Sequence, residues 1–384
     1  MSARLELRAP RGLEGLVVAD TEVSDVDGIA GRYRYRSYDP VELAERRSLE
    51  DVWHLLLEGE LPTPAEREVF SERLRALRRI PEEVDEVLAA AARPGPAQVD
   101  LAPALRSAYS LLAEAFGFGP VVDLDRDALR EQALRSCAVL PTLIASLHRR
   151  RAGLAPVAPD ERLSHAANYL WMLHGERPPP EHARALERYM ILTADHGLAA
   201  STYAALIVVS TGADVGSALL AALGALSGPL HGGAPDRALE MLDAIGTPAR
   251  AEPWLRAVVA RGERIMGFGH RVYRTEDPRA AALRAVAEQL RAPRLELARH
   301  VEAQAVAILD ELRPERRLRA NVELYGAIVM EHVCVPRPLL SSTFAAARTV
   351  GWSAHILEQV ADNRLIRPLT AFVGGPLRPV PQPG

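Results

Sequence analysis

The sequence contains no lysine: every one of its 46 basic residues is arginine. That absence excludes Schiff-base catalysis, a lysine-anchored pyridoxal phosphate and a P-loop lysine. Anions must therefore be met by arginine, histidine or backbone N–H groups. Cysteine is nearly absent too. Cys137 and Cys334 are the only two, too few for a disulfide framework or a thiolate metal site, which fits a reducing cytoplasm. No metal site is expected. No apolar run reaches bilayer length. The longest nearly uncharged stretch, 198–213, carries Ser201, Thr202, Ser210, Thr211 and Gly212 and reads as a buried helix. The first sixteen residues lack the apolar core of a signal peptide, so a soluble, cytoplasmic protein is expected. With 46 basic against 50 acidic residues, no charge excess calls for a polyanionic partner. There is no internal repeat and no low-complexity segment.

What is present is helical periodicity. Residues 16–35 alternate loosely around Asp27-Gly28, a hairpin signal, and this is the one expected piece of β structure. Beyond Val41 the pattern predicts helices over 65–78, 101–116, 128–151, 181–195, 198–211, 215–226, 236–245, 254–261, 278–290, 295–312, 327–332 and 340–351. The fold class is all-α, and 384 residues leave ample room for a core.

Chemistry concentrates in 228–279. This stretch opens with Gly228-Pro229-Leu230-His231-Gly232-Gly233-Ala234 and closes with Gly267-Phe268-Gly269-His270-Arg271-Val272-Tyr273-Arg274 and Asp277-Pro278-Arg279. Either turn alone reads as a surface turn that happens to hold a histidine. Together they present two imidazoles that titrate near neutral pH, on backbone that approaches a ligand closely. Asp277 can cap a helix that starts at Pro278. Arg279 then lies in a first turn whose free N–H groups favour a carboxylate or phosphate.

These turns belong to a longer ordered set: Gly12-Leu13-Glu14-Gly15, Asp27-Gly28, His165-Ala166-Ala167-Asn168-Tyr169-Leu170, Asp195-His196-Gly197 with Ala200-Ser201-Thr202, Asn321-Val322-Glu323-Leu324-Tyr325-Gly326, Ala347-Arg348, Gly351-Trp352-Ser353-Ala354-His355-Ile356-Leu357-Glu358, and 363–368. Across nearly the whole chain this set resembles the citrate synthase family, in its shorter dimeric form.

The resemblance implies a Claisen-type condensation of acetyl-CoA with oxaloacetate, followed by hydrolysis of citryl-CoA. It implies that His231 stabilises the enolate oxygen, that His270 polarises the oxaloacetate carbonyl, and that Glu323 is the base. His196, Arg279, Arg348 and Arg367 would bind oxaloacetate, the last from the partner subunit of a homodimer. CoA would lie over Ile265, Met266, Gly267, Phe268 and Gly269, with Arg274 on a phosphate and no permanently bound cofactor. A large helical domain (1–211 and 320–384) would close on a small one (212–319). His54, His148, His165, His174, His182, His300, His332 and His355 read as scaffold or surface, and Arg364 as surface or subunit contact.

The chain departs from the family pattern in several places. Glu323 stands where the family has Asp, and the extra methylene moves the carboxylate by roughly an ångström, a scale that can cost about 10²-fold in rate. Taken alone, Glu323 reads as a loop carboxylate. Ala199 and Pro235 replace asparagines, Leu324 replaces Phe, and Gly326-Ala327 replaces Ser-Gly. These changes leave open an enzyme for propionyl-CoA or a longer acyl-CoA, giving 2-methylcitrate or an alkylcitrate. They also leave open a paralogue that binds oxaloacetate or CoA without turnover.

Overall fold

The structure is a computed structural model and describes residues 8–92, 101–228, 231 and 235–380. An antiparallel hairpin, β1 (Ser24–Asp27) and β2 (Arg32–Tyr35), pairs Ser24 with Tyr35 and Asp27 with Arg32. The Asp27 carboxylate accepts from the N–H groups of Ile29 and Ala30 and so closes the turn.

The rest of the described chain is built around sixteen α-helices. The first eight are α1 (Pro40–Arg46), α2 (Leu49–Glu58), α3 (Pro64–Ala76), α4 (Asp85–Ala91), α5 (Ala102–Ala115), α6 (Arg126–Arg151), α7 (His165–His174) and α8 (Pro180–Thr193). Then come α9 (Ala200–Val209), α10 (Val215–Leu226), α11 (Pro235–Ile245), α12 (Pro248–Ala260), α13 (Pro278–Gln289), α14 (Leu295–Leu312), α15 (Val322–His332) and α16 (Leu340–Ala361). The all-α expectation and the N-terminal hairpin both hold, and α10 and α14 have the expected bounds.

Three of the expected elements differ in the structure, which also forms α4 and α7 where the sequence reading has no helix. The helix expected over 254–261 begins at Pro248, because a proline that looks like a stop sits at the first helical position, where its missing N–H costs nothing. Glu323 lies in the first turn of α15 and not in a loop, because Asn321 caps the helix by accepting from the Glu323 N–H at 3.0 Å. The helix expected over 340–351 runs through Gly351 to Ala361.

That last helix is the axis of the molecule. Every residue of 340–356 is buried, and α16 packs against α6, α9, α10, α8 and α2. A helix apolar or small all round belongs inside. Its Ser, Thr, Ala and Gly residues let neighbours approach, and its few large polar side chains are aimed at one end of α8. Elsewhere α12 packs on α14, and α13 and α11 pack on α15.

Candidate active site

Two backbone segments meet first. The Gly269 N–H donates to the Arg319 carbonyl at 2.8 Å and the Asn321 N–H to the Gly267 carbonyl at 2.9 Å, with an isolated bridge between Phe268 and Ala320. The Asn321 side chain donates to the Gly269 carbonyl at 2.9 Å while its oxygen caps α15. One asparagine thus ties the His270 turn to the helix end that carries Glu323. The hairpin tip reaches the same turn. Arg274 N–H donates to the Gly28 carbonyl at 2.9 Å, and a Cβ at Gly28 would run into the Val272 carbonyl, so glycine is required there by close approach.

His270 is half-buried, and its Nδ1 accepts from the N–H groups of Val272 and Tyr273 at 3.0 and 3.1 Å. Burial, then the Arg279 charge, hold its pKa down at about 4. A neutral ring whose Nδ1 accepts carries its proton on Nε2. That Nε2 lies 3.4 Å from Nη2 of Arg279. Both are donors, so neither satisfies the other. Arg279 is buried and its Nε and Nη2 donate to the two oxygens of Asp277 at 3.0 and 2.8 Å. Asp277 also caps α13 and accepts the Val322 N–H at 3.2 Å. The sequence shows Asp277 as a cap; only the structure shows it holding the guanidinium and the start of α15.

His231 is held by a relay. Trp352 Nε1, a donor only, gives its hydrogen to Ser201 Oγ at 3.1 Å, and Ser201 Oγ lies 2.8 Å from His231 Nε2. The Ser201 N–H points at the same nitrogen at 3.3 Å. The Ser201 hydroxyl therefore donates to Nε2, and the His231 proton sits on Nδ1. Burial, then Arg348, hold this ring neutral with a pKa of about 4. The turn residues 229–230 and 232–234, and with them Gly232 and Gly233, lie outside the described residues, as does the side chain of Pro235. Ser201 and Trp352 both belong to the ordered set of motifs, but the sequence assigns them no role; a serine at a helix start and a donor-only indole read there as core residues.

His196 stands against His270. Its ring lies 5.2 Å from that of His270, and its Nε2 is 3.0 Å from the Tyr273 hydroxyl. Burial, then Arg279 and His270, hold it well below the usual histidine range. Arg348 is buried, with Nε donating to the Thr193 carbonyl at 2.8 Å and the guanidinium over the Phe344 ring. Glu323, 9% exposed, is pushed up to about 8 by burial, against the attraction of Arg279 and Arg348 and with help from Asp277. Two cations, three neutral imidazoles and one carboxyl that holds its proton thus share a mostly buried region.

Of the remaining sequence candidates, residues 267–269 pair with 319–321 beside that cluster. Ile265 and Gly267 are buried, Met266, Phe268 and Gly269 half-buried. Arg274 is exposed beside a cleft of about 560 Å³ lined by hairpin residues 25–29 and Val272. Arg367 is exposed on the C-terminal segment, and no contact among the described residues brings it to the cluster. Ala199 stands at the N-cap of α9 and supplies no side-chain cap. His355 is buried in an ion pair with Asp195. Among the described residues no cluster has the makings of a metal site, and no described helix is long and apolar enough to cross a membrane.

Residues 12–369 match the sequence profile described as citrate synthase, C-terminal domain. The citrate synthase of Haloferax volcanii is 40% identical over 95% of each chain. The chain belongs to the citrate synthase family. Its members are acyl-CoA-condensing transferases. A 2-methylcitrate synthase of Mycobacterium tuberculosis is also 40% identical, over 97% of this chain and 92% of its own length. Among solved structures, the citrate synthase of Thermotoga maritima has a TM-score of 0.84 at 35% identity, covering 97% of this chain and 98% of its own. A ternary complex of carboxymethyl coenzyme A and oxaloacetate with the Thermoplasma acidophilum citrate synthase has a TM-score of 0.88 at 30% identity, with 97% and 98% covered. The all-α architecture is this family's fold.

Proposed function

We propose that this chain condenses acetyl-CoA with oxaloacetate to citryl-CoA and then hydrolyses the thioester to citrate and CoA. The observation that carries the reading is the fixed direction of the two neutral histidines, Nδ1–H on His231 and Nε2–H on His270, in a region that also holds Glu323 and two buried arginines. A thioester α-proton is weakly acidic, so it needs a carboxylate of raised basicity and a donor for the developing enolate oxygen. Glu323 takes that proton, and His231 Nδ1–H donates to the enolate. The enol carbon attacks the keto carbon of oxaloacetate, whose oxygen accepts from His270 Nε2–H and takes the proton as it becomes an alkoxide. Arg279, Arg348 and His196 bind the dianion, for guanidinium forks suit carboxylates. CoA lies along Ile265, Met266, Gly267, Phe268 and Gly269, with Arg274 on a phosphate; the open cleft at Arg274 supports this.

Closure of 212–319 over 1–211 and 320–384 would exclude water during enolate formation. The packing of α12 on α14, with lighter contacts of α11 and α13 on α14, supports the small domain. A homodimer that supplies Arg367 in trans completes the site. It is supported by an uncharged outer face on α9 and α10, where Tyr203, Ala204, Ile207, Val208, Leu220 and Gly224 are half-buried or exposed.

A second reading, condensation of propionyl-CoA or a longer acyl-CoA, is favoured by Glu323, Ala199 and Pro235 and by the likeness to a 2-methylcitrate synthase. Thiol release with acetyl-, propionyl- and butyryl-CoA tests both. Acetyl-CoA far ahead of propionyl-CoA supports the first, the reverse supports the second, and no turnover with any of them overturns both in favour of a binding paralogue.

A further inference from the structure

His196 sits in a corner between α8 and α9 that has no regular secondary structure, so side chains must hold it. They are buried side chains. The Asp195 carboxylate accepts from the Gly197 N–H at 3.0 Å, from Ser24 Oγ, and from His355 Nε2 at 3.4 Å. Ser24 Oγ also accepts the Gly197 N–H at 3.1 Å. The Asp195 N–H donates to the Tyr35 hydroxyl at 3.1 Å. On α16, a Cβ at Gly351 would collide with the Ala194 carbonyl and the Asp195 carboxylate, so the helix touches the corner directly. Seven residues apart on that helix, Arg348 bonds the Thr193 carbonyl and His355 bonds Asp195. The corner is gripped at both ends by one rigid element.

We infer that the buried Asp195–His355 pair, with Ser24, is a positioning device: it sets the Asp195–Gly197 corner and thereby the orientation in which His196 meets the keto-diacid. The inference rests on the reading of His196 as an oxaloacetate contact. The groups that face His355 are Asp195 from the corner, Glu358 from its own helix at 3.8 Å, and the Thr21 hydroxyl from the segment before β1. Burial opposes its charge, but Asp195 and then Glu358 hold it at about 9, so the pair is ionic at neutral pH. Removing one member leaves the other buried and unpaired.

The test uses steady-state kinetics of the full-length chain, with oxaloacetate and acetyl-CoA varied separately. His355→Leu is expected to raise the KM for oxaloacetate by about tenfold or more while the KM for acetyl-CoA stays put, since misplacement of a contact weakens binding of its own ligand. His355→Gln keeps an N–H donor toward Asp195 and should recover most of the loss. His196→Gln separates the two ideas. If it leaves the oxaloacetate KM unchanged, the reading of His196 fails and this inference with it. If it raises that KM while folded His355→Leu loses only thermal stability, the positioning role alone is overturned. Should His355→Leu not fold, Ser24→Ala removes the hydroxyl from the same carboxylate and is expected to raise the oxaloacetate KM by about threefold; an unchanged KM there overturns the inference.

Discussion

Glu323 and the two site histidines have their basicities driven in opposite directions by one cause, burial, because the carboxyl is neutral when protonated and the imidazoles are neutral when not. The consequence for rate has a definite sign. With Glu323 at about 8, the fraction of free enzyme carrying the basic carboxylate grows as pH rises toward 8. kcat/KM for the acyl-CoA should therefore climb through neutrality and level off above about pH 8, while the histidines, at about 4, contribute no limb in that range. A pH–rate profile that is flat from 6 to 9 would contradict this. Glu323→Gln should cost on the order of 10²–10⁴-fold in kcat, the usual worth of a general base, with the oxaloacetate KM little changed. Glu323→Asp asks whether the site is built around the longer side chain: a fall in rate means that it is, a strong rise means an impaired or repurposed site. Stability follows the same residue. Between the unfolded value of 4.5 and the folded value of about 8, the native state holds a proton that the unfolded chain has lost, so stability falls as pH rises through this window. Urea melts at pH 5 and pH 8 should show that slope, and Glu323→Gln should flatten it.

At the scale of the element, the start of α13 and the start of α15 are one structure, joined through Asp277. Its carboxylate caps α13, accepts the Val322 N–H of α15 and holds the fork of Arg279. Replacing it should be felt three ways at once. Asp277→Ala removes a cap worth about 1 kcal/mol and strands a buried guanidinium, a loss of roughly 3–5 kcal/mol in comparable pairs. Chemical denaturation should show a drop of that order, with a raised KM for oxaloacetate in whatever folds. The sequence made Asp277 legible as a helix start, because Asp-Pro before a periodic run has a local meaning. Its hold on the Val322 N–H depends on a helix more than forty residues away, which no local pattern encodes. Glu323 shows the same limit. It reads as a loop carboxylate until Asn321 is seen to start the helix early, and that cap is itself tied to the Gly269 carbonyl of the histidine turn.

For the whole molecule the open matter is assembly. Arg367 is exposed and, among the described residues, unattached to the site within one chain, and α9 and α10 present an uncharged face. Ile207, 41% exposed at the middle of that face, is the place to interrupt it. Ile207→Glu should shift sedimentation from dimer to monomer and abolish turnover, because a buried unpaired carboxylate is costly. Monomers with full activity would remove the need for a partner. Mixing Arg367→Ala subunits with Glu323→Gln subunits gives a direct test of donation in trans. Each homodimer should be nearly inactive, and exchange should restore activity by forming one site with both residues intact. No recovery after demonstrated subunit exchange would mean that Arg367 acts elsewhere.

The sequence by itself determined the class of architecture, the two histidine turns, the family and the chemistry that lysine's absence excludes. Periodicity, capping residues and glycine turns act over a few residues, and an ordered set of motifs is visible without folding. The tertiary structure alone decided which nitrogen of each imidazole carries its proton, that Asp277 occupies much of Arg279, and that α16 reaches Thr193, Ser201 and Asp195 through Arg348, Trp352 and His355. Those outcomes depend on donors and acceptors brought together from distant segments, and on burial that no short stretch of chain can create for itself.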